Sequence, residues 1–464
     1  MVALLKMKEV RDLRTKGFSV HSLIIVILFS FVIFTDISIS AEEPYLLSLK
    51  DGLKMVTEES RLLRIASLSE NMSEMDVKIA RSRFLPSINA YARQTFLANQ
   101  PGARFGYAEV YTSEREFLSY GVTLYQSLYR GGADLSLYSA SEKDLEIRRN
   151  DIKRLRNLVA VEFISAYLEL LEIDRLINVA EREVESLEAH LEEAITMYEE
   201  GVITKNEKLE IEVRLSDARQ RLLSLKNQRS FYVSRINSML LMPLNRDFRV
   251  EDIRFNETKN AEIISLEEAW QEAINTRPEL RTIEREIEKV RLQQRAKMAE
   301  YYPEFFVQAG YDYTENRYQL HEENWSLIFG VNINLFKGGA TASEIKKLRY
   351  RERQLIEERE RLMDEIRLEI KKFYIGLKNS MDRLSVTGQA VLQAEENLRI
   401  NRLRFEEGIG KSSDVLDAIA LFTLAETNYQ SARYEFLKAK AGLEYAMGKD
   451  LVAIYGGEDG RNSE

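Results

Sequence analysis

The strongest constraint on the fold of this 464-residue chain is that it is written twice over. Ala80 to Ile88 (ARSRFLPSI) resembles Lys297 to Phe305 (KMAEYYPEF), with Pro86 opposite Pro303 at an offset of 217. Leu49 and Leu53 stand opposite Leu266 and Trp270 at that same offset. Further along the offset is 207. Arg130-Gly131-Gly132 then matches Lys337-Gly338-Gly339, and Ala166-Tyr167 matches Phe373-Tyr374. Tyr198-Glu-Glu-Gly201-Val202 matches Phe405-Glu-Glu-Gly408-Ile409, and Leu209 matches Leu416. One insertion of ten residues in the first half, between the proline and the Gly-Gly, accounts for the change. A fixed offset over some 80 residues is not chance similarity, so the chain reads as an internal duplication.

Each half has the same order of expected elements. A helix over roughly 46–84, or 265–301 in the second half, leads into two strands. A very long helix follows, then a break at glycine and another long helix. The strands show period-two alternation. Leu118, Tyr120, Val122, Leu124 and Leu128 point one way, and Ser119, Gly121, Thr123, Tyr125 and Ser127 the other. In the second half Trp325, Leu327, Phe329, Val331, Ile333 and Leu335 share a face opposite Ser326, Gly330, Asn332 and Asn334. Ser87 to Phe96 and Phe305 to Tyr313 supply the preceding strands. About ten alternating residues suit a tilted strand crossing a bilayer, apolar to lipid and polar to a lumen. Tyr and Trp near strand ends suit the membrane interfaces. A soluble half-buried sheet alternates in the same way, so the pattern alone leaves both open.

From Ala133 to Glu200 there is neither Gly nor Pro. A continuous helix of that length would reach about 100 Å. Ile173, Leu176, Ala180, Val184, Leu187, Leu191, Ala194 and Tyr198 recur three or four apart, which is a coiled-coil seam. Val391, Ala394, Leu398 and Phe405 repeat it, with Asn401 polar within it. Four strands cannot close a barrel, and lipid does not tolerate open strand edges. Strands placed in a membrane therefore require several chains in one barrel, with the helices continuing beneath it as a tube.

Composition narrows the class. With 66 Lys plus Arg against 75 Asp plus Glu the net charge is −9, so nothing invites nucleic acid. Cysteine is absent, which removes disulfides, thiolate metal sites, cysteine nucleophiles and an N-terminal lipidated cysteine. His21, His190 and His321 are too scattered to suggest a metal site. Residues 1–40 read as a signal peptide. Lys6, Lys8, Arg11, Arg14 and Lys16 precede an apolar run from Leu23 to Phe34, with small residues at Ser38, Ser40 and Ala41. The rival reading of that run is an uncleaved anchor. Removing the leader takes five basic and three acidic residues and moves the net charge to −11. No nucleophile elbow, phosphate loop or metal pattern is present, so an enzyme is not expected and no cofactor is called for.

The order of leader, helix, hairpin and long helix pair, run twice, resembles the outer-membrane efflux protein (TolC) family over the whole mature chain. Pro86 and Pro303 before each hairpin and the Gly-Gly pairs after it agree. The most specific match is Phe405-Glu-Glu-Gly-Ile-Gly-Lys-Ser-Ser-Asp-Val-Leu-Asp417, similar to the family's periplasmic helix turn. The resemblance implies an α+β membrane protein. Three chains of four strands each would form a twelve-stranded outer-membrane β-barrel that continues into a periplasmic α-helical coiled-coil barrel. It assigns 1–40 to the signal peptide and 41–242 to the first repeat, with a hairpin at about 87–128 and a tip near 201. It assigns 243–265 to an equatorial connector and 266–450 to the second repeat, with a hairpin at about 304–336 and a tip near 408. It leaves 451–464 as a mobile tail.

The implied partners are a homotrimer, a periplasmic adaptor, an inner-membrane transporter of RND, ABC or MFS class, and outer-membrane lipid. Asp414 and Asp417, at i and i+3, share a helix face. By resemblance they face the narrow tunnel entrance, where a threefold ring of carboxylates would favour cations. Glu207 and Asn206 match the tip of the first repeat, where the family holds its entrance closed. Where the family has a basic residue in the second turn this chain has Gly410, with Lys411 next to it, so either the family's closing contact is absent or Lys411 stands in for it; Phe405 lacks the hydroxyl of its family counterpart. Gly201, Val202, Gly408 and Ile409 are the implied adaptor-docking tips. The alternative function is a periplasmic coiled-coil adaptor or structural protein, which would account for the helices but not for the strands.

Overall fold

The structure, a computed structural model, describes residues 45–253 and 264–457. The expected signal peptide, the middle of the connector and the end of the tail lie outside the described residues.

The second half repeats the first element by element. In the first half, α1 (Leu49–Glu59) and α2 (Arg61–Ser82) lead into β2 (Ser87–Phe96) and β5 (Glu116–Arg130). Then come α3 (Ala133–Glu199) and α4 (Lys205–Met239). In the second half α5 (Leu266–Thr276), α6 (Pro278–Met298), β7 (Glu304–Thr314) and β8 (Glu323–Asn332) keep that order. The helices α7 (Ala340–Glu406) and α8 (Ser412–Ala446) close it. Both α3 and α7 have 67 residues and both α4 and α8 have 35, each at the offset of 207. Strand register agrees as well. Ser87 pairs with Tyr125, and their counterparts at the two offsets, Glu304 and Asn332, pair with each other.

The ten-residue insertion is a small hairpin of β3 (Gly102–Phe105) and β4 (Ala108–Tyr111). The other short strands, β1 (Tyr45–Leu47) and β6 (Phe248–Val250), pair beside the long helices. The expected leading helices are each broken once, at Ser60 and at Arg277. Pro278 explains the second break, since its ring fits the first position of a helix and not the interior. The tail also differs from expectation. Asp450 caps a further helix, α9 (Leu451–Gly456), by accepting hydrogen bonds from the amides of Val452 and Ala453. Leu451 is buried in the main core. The apolar run Leu-Val-Ala-Ile-Tyr holds this stretch in place despite the Gly- and Asp-rich residues after it.

The main sheet has the order β2-β5-β7-β8, antiparallel throughout, and β5–β7 joins the two halves. Among the described residues β2 and β8 each keep an unpaired edge. The apolar face of the sheet is bare. Trp325, Leu327, Phe329 and Val331 are all more than half exposed. On the other face Gly121 leaves room for Tyr91, whose hydroxyl donates to Asp312 at 2.8 Å. A soluble half-buried sheet would cover one of its faces with core, and this one covers neither.

The packed cores lie among the helices instead. The largest collects Leu53, Phe163, Tyr167, Leu170, Ile236, Phe248 and Leu451. The Tyr167 hydroxyl sits 2.9 Å from the Leu47 carbonyl and 2.7 Å from that of Glu251, which ties the β1–β6 pair to α3. The expected seam on α3 is buried at Ile173, Ala180, Leu187 and Ala194, but Tyr198 is exposed because the helix ends there. Nearer the sheet, charge pairs align α3 with α6, as in Arg285–Glu146 at 2.8 Å and Lys143–Glu288 at 3.3 Å. Among the described residues no helix is long and apolar enough to cross a membrane.

Phe163 is fully buried, and its ring occupies the space where a Cβ on Gly52 would stand. Phe163→Ala is expected to cost about 3–5 kcal/mol in urea unfolding. Gly52→Ala alone is expected to destabilise through overpacking, and the two together should cost clearly less than their sum. Strict additivity would show that the two positions do not touch.

Candidate channel entrance at the helix turns

Both long helix pairs turn by the same local chemistry. At the end of α3, Gly201 takes φ 78°, and its N–H donates to Tyr198 O while that of Val202 reaches Met197 O. At the end of α7, Gly408 takes φ 72°, with Gly408 N–H to Phe405 O and Ile409 N–H to Arg404 O. These are Schellman motifs, and the left-handed backbone they require explains a glycine at both positions. They leave Val202 at 61% and Ile409 at 72% exposure, so the four tip residues do lie on the surface.

The starts of the outgoing helices differ. Thr204 caps α4, and Glu207 completes a capping box with the Thr204 amide at 2.8 Å and its hydroxyl at 2.9 Å. The carboxylate of Glu207 thus has a structural task at its own helix end. Thr204-Lys-Asn-Glu207 is the sequence signature of such a box. Asn206 beside it is exposed. In the second turn Lys411 occupies the cap position, exposed and without a side-chain capping bond. Gly410 lies so close to the backbone of Arg404 and Phe405, with its N–H donating to Arg404 O at 2.8 Å, that a Cβ would crowd both at 3.0 Å. A side chain in that position would press on this backbone, so the turn would have to shift by a few tenths of an ångström to admit one.

Asp414 and Asp417 stand together on the exposed face of α8, which continues through Leu421 and Leu424. The opposite face, with Val415, Leu416, Ala418 and Ile419, is buried. That apolar cluster also takes in Ile211 and Leu215 of α4, Leu187 of α3 and Phe405 of α7, so both turns rest on one core. Among the described residues no side-chain hydrogen bond or ion pair joins Asp414 or Asp417 to Asn206, Glu207 or Lys411. Phe405 is a core residue here, 3% exposed. The repeat also shows a residue that motif reading passed over. Asp417 minus 207 is Glu210, an exposed carboxylate three residues after Glu207. Applying the offset to the acidic pair would have found it. No group of carboxylates and histidines among the described residues is arranged to hold a metal ion.

A profile of the outer membrane efflux protein family matches residues 52–240 and 269–449, one stretch in each repeat. The chain is 21% identical over 399 residues to the outer membrane protein TolC of Vibrio cholerae, covering 84% of this chain and 88% of that one. It is 20% identical over 426 residues to the alkaline protease secretion protein AprF of Pseudomonas aeruginosa, covering 88% and 85%. Among solved structures, the outer-membrane channel OprN shares the fold with a TM-score of 0.75 at 15% identity, over 87% of this chain and 90% of that one. CusC does so with a TM-score of 0.75 at 13% identity, over 88% and 94%. With a family match across both repeats and the same fold over nearly nine-tenths of its length, this chain belongs to the outer membrane efflux protein family.

Proposed function

We propose that the chain is one of three identical protomers of an outer-membrane exit duct, serving a tripartite efflux or type I secretion system. The observation that carries this reading is the four-stranded sheet with two free edges and a bare apolar face, mounted on helices of 67 residues. Free edges cannot persist in lipid, so the sheet is completed by further copies. Three copies close a twelve-stranded barrel, and their helices run on as a tube about 100 Å long. The exposed apolar side chains Ile65, Leu68, Met72 and Ile79 on α2, with Val213 and Leu223 on α4 and Val386 and Leu392 on α7, supply faces for neighbouring copies. The family description, and the relative that bears the name of a protease secretion protein, support export as the task. Substrate enters from an inner-membrane transporter. A periplasmic adaptor docks on the tips at Gly201, Val202, Gly408 and Ile409. The bare sheet face argues against a soluble periplasmic adaptor or scaffold.

At the periplasmic end, threefold symmetry brings Asp414 and Asp417 of each chain around one constriction, with Glu207 and Glu210 near by on the first-repeat turns. A ring of carboxylates in a narrow passage attracts cations and repels anions. Asn206 and Lys411 stand at the same rim.

Two measurements test this reading. The internal β5–β7 pairing predicts how β8 meets β2 of the next copy. Leu124 faces Ala309 within the chain, so at the two offsets Val331 faces Ala92 of the next copy. In this cysteine-free chain, Val331→Cys with Ala92→Cys is expected to give oxidised dimers and trimers on a denaturing gel. Val331→Cys with Gln94→Cys, slipped by two residues, should give far less. Equal yields, or monomer alone, would count against the seam. In planar bilayers under a salt gradient, replacing Asp414 and Asp417 by Ala should lower the cation-over-anion permeability ratio severalfold. An unchanged ratio would remove these residues from the constriction.

A further inference from the structure

Between the main helical core and the core shared by the turns, two cavities flank Val179, Glu183 and Thr423, which line both. The first, of about 130 Å³, lies between α3, α7 and α8. Val179, Leu398, Ile419 and Phe422 give it an apolar body, and all but Phe422 are buried. An apolar cavity of about 150 Å³ holds benzene, so this space suits one ring or a short branched chain. The second, of about 280 Å³, lies between α3, α4 and α8.

The charges around the first cavity do not balance. Glu183 is 7% exposed and accepts a hydrogen bond from Arg221 at 2.6 Å. Glu426 accepts one from Arg182 at 3.0 Å. Arg402 of α7, partly buried on the same wall, donates only to the hydroxyl of Ser186. Among the described residues no carboxylate pairs with it, and the rest of its five-donor fork stays free. Its charge is felt by the buried His190, which shares a hydrogen bond of 2.9 Å with the Ser412 hydroxyl and meets the Phe405 ring edge-on. Burial, and then the Arg402 cation, push that imidazole pKa down to about 4. One guanidinium is therefore left over at the wall of an apolar cavity, where low dielectric strengthens its pull on an anion. The larger cavity has no such charge, since Arg221 is the one cation among its lining residues and Glu183 already holds it.

At the offset of 207, Ile195 stands where Arg402 does, and Gln389 and Ala390 stand where Arg182 and Glu183 do. The free cation thus belongs to the second repeat alone, and the arrangement occurs once per chain.

We propose that the smaller cavity binds a small carboxylate with a compact apolar body, an aromatic or branched-chain acid, whose carboxylate pairs with Arg402 while its body fills the space between Val179, Leu398, Ile419 and Phe422. The molecule touches α3 on one side and α7 and α8 on the other, so its binding stabilises the folded chain. The site lies inside one chain, and it stands or falls apart from the channel reading and from assembly.

Benzoate is the probe, titrated by calorimetry into the full-length protein in detergent. One equivalent per chain should bind with a dissociation constant of about 0.1–1 mM, the range open to a ligand of about nine non-hydrogen atoms. Saturation should also raise the thermal unfolding midpoint. Acetate, without the apolar body, and benzylamine, of similar size but cationic at pH 7, should each bind at least about tenfold more weakly. Arg402→Gln should weaken benzoate about tenfold or more, the loss of one charge-assisted contact. Arg402→Lys, which keeps the charge, should retain most of the affinity. Leu398→Phe fills the cavity and should abolish binding with every charge in place, and its unfolding midpoint without ligand shows that it folds.

No saturable binding of benzoate overturns the site. Equal binding of benzylamine, or full affinity in Arg402→Gln, overturns the role of the cation. Two equivalents per chain, or a folded Leu398→Phe that binds as the parent does, puts benzoate elsewhere and overturns the cavity as its place.

Discussion

The pairing of β5 with β7 is the contact on which the rest of the molecule depends. It joins the two repeats edge to edge, and among the described residues no strand pairs with the outer edges of β2 and β8. In water such edges could be shielded by charge or by a covering loop. In lipid the only remedy is closure with another strand. Since the internal joint already has the geometry that closure needs, the same joint repeated around a ring satisfies every edge. The proposed assembly from further copies follows from this one arrangement.

The helical half obeys a related logic. Repeat one pairs α3 with α4, repeat two pairs α7 with α8, and α3 packs on α8 between them. The outer faces of α4 and α7 keep their apolar side chains uncovered, Val213 and Leu392 among them. The chain is therefore packed along its own seams through the buried clusters, and its flanks leave apolar side chains uncovered. At the helix turns both tips rest on a common core of Leu187, Ile211, Phe405 and Val415, while their acidic residues lie on exposed faces.

Much of the site was legible before any coordinates. The glycines at 201 and 408 marked turns because no other residue takes the left-handed backbone so readily. The spacing of Asp414 and Asp417 put them on one face, and the burial of Val415 and Leu416 in the structure turns that face outward. Other features were not legible in the same way. Thr204 and Glu207 carry the spacing of a capping box, but only the folded turn shows both hydrogen bonds made, so that Glu207 serves its own helix end where resemblance alone would assign it to the lumen. The place of Lys411 at a helix cap, and the crowding that makes Gly410 a glycine, depend on how the turn folds back on Arg404. His190 read as an isolated histidine, because Ser412 and Phe405 are more than two hundred residues away in the chain.

By itself the sequence determined everything that depends on local period and on repetition. Alternation placed the strands to within a few residues, and the absence of Gly and Pro allowed the long helices. The two offsets foretold that the halves would share one order of elements, and the structure adds matching helix lengths and strand register. Backbone propensity and side-chain spacing act over a few residues, so a linear reading captures them. Tertiary structure alone decided which faces meet, whether the sheet is covered, and which distant groups share a burial site. It buried Leu451 in a tail that composition had set loose, and it brought His190 to the start of α8. Those outcomes depend on the competition of whole faces for contact, and no short window of sequence contains both competitors.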